Sequence, residues 1–223
     1  MKDLGELEGQ AGERGLVDLF PHDRVVFFSD AVFAIAITLL AIELKLPDRE
    51  MIEHLGANGA SGEVTALFVS YFISFAVTGL FWVGHMQTWR HVRQVSGKLV
   101  WTNLLQLMFV ALMPFATREY SVYFAGESPG RFAFYAFVLA GISFFSFVSR
   151  RIVVRQEQLA ERLGQGPARW LVWRGLVPLV VFTATIPLAF VLPVWCGGFV
   201  FMTIFPCLAL VKCRILRTSL PAA

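Results

Sequence analysis

An ionisable side chain lies within the first long apolar stretch of this chain. Asp30 follows Arg24 by six residues, which is about 9 Å along a helix that rises about 1.5 Å per residue. A carboxylate at that depth in a membrane is costly unless it is paired or faces protein, so it marks either a functional site or a buried hydrogen-bond network. Proton relay and substrate coordination are the functional alternatives, and a network that holds helices together is the interpretation we favour.

Polar residues on the next two apolar stretches are expected at the same level as Asp30. The second stretch runs in the opposite direction and carries His85 four residues before Trp89. The third runs outward again and carries Asn103 near its start. Because polar side chains bridge helices in membranes, these residues can meet in one layer. The predicted layer contains Arg24, Ser29, Asp30, His85 and Asn103, with Trp82 and Trp101 nearby.

A second pattern lies deeper in the first stretch. Ile35, Leu39 and Ile42 are spaced four and three residues apart, which places them on one helix face, and Thr38 lies beside Leu39. On the residues alone, such a stripe is typical of helix packing. A hydrophobic constriction that lines a pore would show the same pattern, so that alternative stays open.

The composition explains which elements must hold these residues. The 223 residues are 57% hydrophobic and only 16% charged, with a mean hydropathy of +0.64, whereas soluble domains carry about a quarter charged residues. Backbone groups in lipid must bond within the segment, and the apolar runs lack the alternation of a β-barrel, so each run is expected to be a helix. The sequence therefore predicts an all-α, polytopic membrane protein with six transmembrane helices. The six stretches are Val25–Leu46, Val64–Trp89, Leu99–Thr117, Phe132–Ser149, Leu171–Leu192 and Val194–Val211.

The distribution of basic residues predicts the orientation. With the N-terminus inside, the inner segments hold 15 of the 19 Lys and Arg residues, and cytoplasmic loops are the ones enriched in these residues. Both termini are therefore expected in the cytosol. The division that follows is a cytoplasmic segment over residues 1–24, a six-helix membrane domain over 25–211 and a cytoplasmic tail over 212–223. Residues 150–174 are interpreted as a basic inner connector.

Several functional classes find no support in the sequence. No basic stretch resembles a nucleic-acid interface, and the histidines form no HExxH motif that would indicate a metalloenzyme. No GxSxG motif or cofactor motif is present, so an enzyme is not expected and no cofactor is predicted. A proton-linked secondary transporter that uses Asp30 and His85 stays open as an alternative to a channel, although no paired broken helices indicate inverted repeats.

The residues from Arg24 onward resemble a known family. Arg24-x-x-x-Phe28-Ser29-Asp30, followed by Ala34-Ile35 and Thr38-Leu39-Leu40, is similar to the signature of the transmembrane protein 175 family of potassium channels. The similarity continues through Trp82 and His85, then Asn103 and Pro114-Phe115, and so covers roughly residues 24–117.

The resemblance implies a fold, a partner and roles for residues. Bacterial members have a single six-helix repeat and form homotetramers in the cell membrane, and their first helices line a pore without a TVGYG filter. This chain contains no TVGYG either. By resemblance we expect a potassium-preferring channel, with potassium ions as the permeant species and Ile35, Leu39 and Ile42 as the constriction. Thr38 matches the threonine linked to selectivity. The motif residues Arg24, Phe28, Ser29 and Asp30, together with Trp82, His85 and Asn103, are expected to hold the helices together.

Overall fold

A computed structural model describes residues 19–44, 49–124, 129–191 and 201–219 of the protein. Nearly all of these residues are helical. The α-helical membrane protein predicted from composition is therefore confirmed as the fold class, and the rest of the architecture concerns where each helix begins and ends.

Helix α1 (His22–Leu39) follows Pro21, whose φ of −60° suits the start of a helix. Helix α1 contains neither glycine nor proline, so nothing interrupts its hydrogen bonding until a 3₁₀ turn takes over at Leu40–Glu43. Its buried residues recur at intervals of three and four, which defines one face turned towards the subunit. These residues are Ser29, Phe33, Ala36 and Leu40.

Helix α2 (Arg49–Trp89) is the longest element, with 41 residues, and its part from Ser61 to Trp89 is apolar enough to cross a membrane. After α2 the chain turns back and forms strand β2 (Val95–Ser96), which pairs antiparallel with strand β1 (Leu19–Phe20). This small sheet places the start of α1 and the end of α2 at the same end of the bundle.

The third predicted span is built from two helices. Helix α3 (Gly97–Ala111) is capped by Ser96, whose Oγ accepts a hydrogen bond from the Leu99 amide at 3.4 Å. Helix α4 (Met113–Phe124) follows after a single residue, Leu112. Pro114 has no amide hydrogen and breaks the regular bonding at this point, so the sequence pattern could not distinguish one kinked span from two joined helices.

The remaining helices complete the bundle. Helix α5 (Pro129–Gln156) is followed by the short helix α6 (Leu159–Arg162), by α7 (Gln165–Leu188) and by α8 (Ile204–Ser219). Helix α5 lies in the middle and packs most extensively against α7, then against α3 and α4. Its large buried residues stack with α4, where the Tyr120 and Tyr135 rings lie 4.3 Å apart.

Five helical segments within the described residues are long and apolar enough to cross a membrane. A protein that crosses the membrane several times is thereby confirmed, whereas six crossings stay a prediction. Pro193 and the first seven residues of the sixth predicted stretch, Val194–Val211, fall in residues 192–200, outside the described residues. The segments are His22–Glu43, Ser61–Trp89, Gly97–Val122, Pro129–Gln156 and Gln165–Leu188.

Candidate functional site

Ser29 and Asn103 join the first and third spans. The Asn103 amide Nδ2 donates to Ser29 Oγ at 2.8 Å, and Ser29 Oγ donates in turn to the carbonyl of Val25 at 2.8 Å. Both side chains are almost fully buried, at 0% and 1% exposure. Because a polar group buried without a partner is costly, this relay fixes the rotation of α1 against α3.

Asp30 joins the first and second spans. Its Oδ1 accepts a hydrogen bond from the Trp82 indole Nε1 at 2.9 Å. The donor is neutral, so the bond satisfies one carboxylate oxygen without cancelling the charge. Asp30 lies on the half-buried side of α1, away from the Ile35 and Leu39 side chains.

His85 lies in the same region but makes a different kind of contact. Its ring centroid is 5.5 Å from that of Phe33 and 5.4 Å from that of Trp89, and the side chain is 3% exposed. Within the described residues His85 has no hydrogen bond to Asp30, and its Nε2 has no partner. The predicted layer therefore consists of two hydrogen-bonded pairs with a histidine packed between aromatic rings.

Arg24 and Phe28 lie outside that layer. Both are exposed, with Phe28 at 52%, and the part of the chain that the structure describes offers Arg24 no hydrogen bond. They line a cavity of about 330 Å³ between the start of α1 and α3, together with Phe20, Val100 and Asn103. The structure thus separates the signature motif into a buried half, Ser29 and Asp30, and an exposed half.

The apolar stripe of α1 faces away from the subunit. Ile35, Leu39 and Ile42 are 57%, 40% and 64% exposed, although each is a large aliphatic side chain. Thr38 is also exposed, and its Oγ1 donates to the carbonyl of Ile35 at 2.9 Å. Within the described residues these side chains are not buried against other helices of the same subunit, which is the packing that the residues alone favoured for this stripe.

The change from α-helix to 3₁₀ turn keeps the stripe straight at its C-terminal end. A 3₁₀ helix has about three residues per turn, so Ile42 lies almost directly above Leu39, about 6 Å further along the axis. Ile35 is one α-helical turn below Leu39. Ile37, two residues from both, lies on a different side of the helix and is half-buried.

Sequence reasoning missed the role of Arg150. Residues 150–174 were expected to form an inner connector, but Arg150 lies within α5 and is only 5% exposed, and Arg174 lies within α7. Arg150 Nη2 donates to the carbonyl of Gly84 at 3.5 Å, and Arg174 Nη1 donates to Gln87 Oε1. The available signal was Gly84 inside a helix, since a glycine there often allows a close approach.

Glu157 joins the loop that follows α2 to helix α6 at one end of the bundle. Its Oε1 accepts from the amides of Arg93 and Gln94 at 2.7 and 3.3 Å, and its Oε2 accepts from Arg162 Nη1 at 3.3 Å. In the same loop His91 lies beside Arg90, and partial burial lowers the pKa of His91, with a further contribution from the neighbouring arginines. No group of three His, Cys, Asp or Glu within the described residues could hold a metal ion.

With this geometry established, the first half of the chain can be compared with known proteins. Residues 24–114 match the family described as endosomal/lysosomal potassium channel TMEM175. This region is therefore similar to the TMEM175 family. The similarity predicted from the RxxxFSD motif is confirmed, and the matched region contains both hydrogen-bonded pairs and the whole exposed stripe.

Individual relatives match the same region. A potassium channel of Streptomyces collinus is 41% identical over 103 residues, which cover 45% of this chain and 48% of the relative. The mouse endosomal/lysosomal proton channel TMEM175 is 34% identical over 107 residues, which cover 45% of this chain and 21% of the relative. The chain thus spans about half the length of the bacterial relatives it matches and about a fifth of the mouse protein.

Similarity of fold extends further along the chain. The crystal structure of a lysosomal potassium-selective channel TMEM175 homologue from Chamaesiphon minutus superposes with a TM-score of 0.69, covering 89% of this chain and 98% of that one. The two sequences are 24% identical. A variant of the potassium channel MtTMEM175 superposes with a TM-score of 0.62 at 16% identity. At these identities the comparison establishes a shared fold, including the helices beyond residue 114.

Proposed function

We propose that this protein is a potassium-preferring cation channel of the cell membrane, in which four copies place α1 around a central pore. The observation that carries the proposal is the exposed stripe of Ile35, Leu39 and Ile42 on α1. One such helix cannot enclose a pathway, but four copies around an axis can. The S. collinus relative bears the name potassium channel and matches this chain over the region that contains the stripe.

A row of small residues beside the stripe supports close packing of the four helices. Ala31, Ala34 and Thr38 are exposed and follow one another at intervals of three and four residues. Small side chains let helix backbones approach closely in a membrane. A neighbouring α1 can therefore rest on this row, while the larger aliphatic side chains of both helices turn towards the axis.

The stripe would act as a hydrophobic constriction. Rings of Ile35, Leu39 and Ile42 leave a narrow passage that favours a dry state, and such constrictions gate by dewetting. Thr38 supplies the polar component beside it. Its hydroxyl hydrogen is directed to the Ile35 carbonyl, so the lone pairs of Oγ1 remain available to a cation.

We assign the buried polar residues to helix packing rather than to ion contact. Ser29, Asp30, Trp82 and Asn103 form hydrogen bonds between spans on the sides of α1 that the stripe does not occupy. His85 adds ring contacts behind them. In this assignment Arg24 and Phe28 lie at the inner mouth of the pore, because the proposed cytosolic termini put the start of α1 on that side.

The alternative, a proton-linked transporter that uses Asp30 and His85, has less support. Asp30 already accepts a bond from Trp82, and His85 is enclosed by aromatic rings rather than paired with Asp30. The two hypotheses predict different currents. A channel passes steady current down its gradient, whereas a transporter saturates and couples to a second solute.

Planar-bilayer recording of the purified protein in asymmetric KCl and NaCl tests the proposal. We expect unitary currents whose reversal potential lies closer to the equilibrium potential of potassium than to that of sodium. A potassium flux that saturates and requires a proton gradient would refute the channel hypothesis.

Orientation is tested by a separate experiment. A reporter fused after Ala223 should be active only in the cytosol, and a periplasmic signal would mean that the number of spans is wrong.

A further inference from the structure

Arg150 is a buried cation without a carboxylate. Its side chain is 5% exposed, its Nη2 donates only to the neutral carbonyl of Gly84, and its Nε and Nη1 have no hydrogen-bond partner among the described residues. Two acidic side chains of the described bundle are engaged elsewhere, because Asp30 accepts from Trp82 and Glu157 accepts from the loop and Arg162.

Two glycines enclose the Arg150 side chain. A Cβ added at Gly84 would lie 2.8 Å from Arg150 Nη2, and a Cβ added at Gly175 would lie 3.2 Å from Arg150 Cδ and 3.2 Å from Phe147 Cα. Any larger residue at these two positions would require the guanidinium or a backbone to move. The Arg150 side chain therefore fits between α2 and α7 because both helices have a glycine where they contact it.

The surroundings of Arg150 contain further buried polar atoms without partners. Ser149 Oγ lies next to Arg150 in α5, and His85 Nε2 lies next to Gly84 in α2; neither has a hydrogen-bond partner within the described residues. Gln106 on α3 faces His85, yet neither of its side-chain polar atoms reaches normal hydrogen-bond geometry. Buried polar atoms without partners thus lie on three helices, and one of them belongs to His85, which interacts with Arg150 and Gln106.

A second cation lies close to this pocket. Arg174 precedes Gly175 in α7, and its Nη1 donates to Gln87, one helical turn from Gly84 in α2. An arginine side chain keeps its proton in proteins, and a buried charge without a partner is strongly unfavourable. Water can satisfy hydrogen bonds but supplies no compensating charge. An anion supplies both, because it accepts several hydrogen bonds and neutralises the guanidinium.

We propose that Arg150 binds a small monovalent inorganic anion, such as chloride, inside each subunit. Arg150 lies six residues before the end of α5 at Gln156, about 9 Å along the helix, so the pocket is close to the aqueous phase at that end. The low exposure of Arg150 excludes a lipid headgroup in favour of a small ion. The anion stabilises the packing of α2 behind Phe33 of α1 through the adjacent His85.

Thermal unfolding of the purified protein in neutral detergent, without added lipid, tests this site. Sodium chloride or bromide is compared with sodium gluconate at equal ionic strength, because general screening is then the same. A ligand that binds only the folded state raises its stability, so the wild-type Tm should rise by several degrees and saturate with chloride. Equal melting in chloride and gluconate would overturn the proposal and leave water as the occupant.

Substitutions at two neighbouring positions distinguish anion binding at Arg150 from anion binding at the protein surface. Arg150→Gln should abolish the chloride dependence, whereas Arg151→Gln, which removes the same charge from an exposed position next to it, should retain it. If Arg150→Gln does not fold, Gly84→Ala provides the test, since its methyl group displaces the guanidinium. It should raise the half-saturating chloride concentration about tenfold, a change of about 1.4 kcal/mol.

The matched control is Gly79→Ala on the same helix, where an added Cβ meets nothing within 4 Å and the affinity should not change. Crystals grown in bromide should show an anomalous peak beside Arg150. An unchanged chloride response in both Arg150→Gln and Gly84→Ala, or a bromide peak only on the surface, would contradict the assignment.

Discussion

Helices α1 and α5 are both apolar enough to cross a membrane, but they differ in what their side chains contact. The segment that contains α1 has a mean hydropathy of 2.5, yet only 22% of its most apolar window is buried within the subunit. The segment of α5 is less apolar, at 1.9, and 56% of its window is buried. In a membrane protein, high hydropathy thus predicts that a helix crosses the membrane, but it does not predict which helix is buried among the others.

The difference between the two helices has a functional consequence. Helix α5 uses its buried surface to pack against the other helices of the bundle. Arg150 is one of its buried residues. Helix α1 keeps one narrow buried face and leaves Ile35, Leu39 and Ile42 without cover from its own subunit. A stripe of this kind requires lipid, other copies or a pore beside it. The two faces of α1 should therefore respond to mutation in different ways.

The largest expected effect concerns the buried face of α1. Phe33→Ala removes a side chain that is 0% exposed and contacts His85, so it should destabilise the protein by about 3–5 kcal/mol, the usual cost of a large cavity in a core. Denaturant unfolding in detergent measures the change. The control is Phe28→Ala, five residues earlier and 52% exposed. Equal losses for the two variants would show that the two faces of α1 are not distinct.

The next effect concerns permeation through the exposed face. Leu39→Asn places a polar group in a water-poor constriction, so single-channel conductance should rise several-fold and discrimination between potassium and sodium should weaken. Recording in planar bilayers under asymmetric KCl and NaCl provides both quantities.

Ile37 supplies the control for that measurement because it lies on another side of the same helix and is half-buried. Ile37→Asn should reduce folding yield more than it alters conductance. If Ile37→Asn changed permeation while Leu39→Asn assembled normally and left it unchanged, the pore face would be misassigned although the channel hypothesis would survive.

A smaller effect is expected where α1 is bonded to α3. Ser29→Ala leaves the buried Asn103 amide without its acceptor, which costs about 1–3 kcal/mol. We expect a lower unfolding midpoint and lower yield with unchanged ion preference. Thr102→Ala removes a hydroxyl next to Asn103 that bonds only its own helix, so it should have little effect. Altered selectivity with normal stability in Ser29→Ala would move this residue into the ion path.

The sequence was sufficient to predict which polar residues lie at one level, but neither how they pair nor that an arginine is buried. Ser29, Asp30, Trp82 and Asn103 could be placed together because alternating helix directions and a fixed rise per residue determine the depth of each side chain. Rotation about the helix axis is not determined in that way. His85 and Arg24 were therefore expected at the right level, but their contacts depend on packing that depth alone does not specify.

The burial of Arg150, in contrast, could not be predicted from the sequence. Arginines are enriched in cytoplasmic segments, and the six arginines within residues 150–174 were therefore interpreted as part of such a segment. This enrichment does not indicate which of them points inward. That depends on Gly84 and Gly175, which lie on two other helices and come close to Arg150 only after folding.

The smallest expected effect concerns pH at the loop that follows α2. Partial burial, and then Arg90 and Arg162, lower the pKa of His91 below its usual 6.5, so the folded state binds fewer protons than the unfolded chain as the pH falls through about 6.5. Stability contributed by neutral His91 is therefore complete above that pH and decreases on acidification. Because His91 is only partly buried and solvent screens its interactions, the loss should not exceed about 0.5 kcal/mol. His91→Gln, measured by thermal unfolding between pH 5 and pH 8, should match the wild type at pH 8 and show a slightly shallower decline towards pH 5. An identical decline in both proteins would place the acid sensitivity elsewhere, and a steeper decline in the variant would reverse the sign assigned to this histidine.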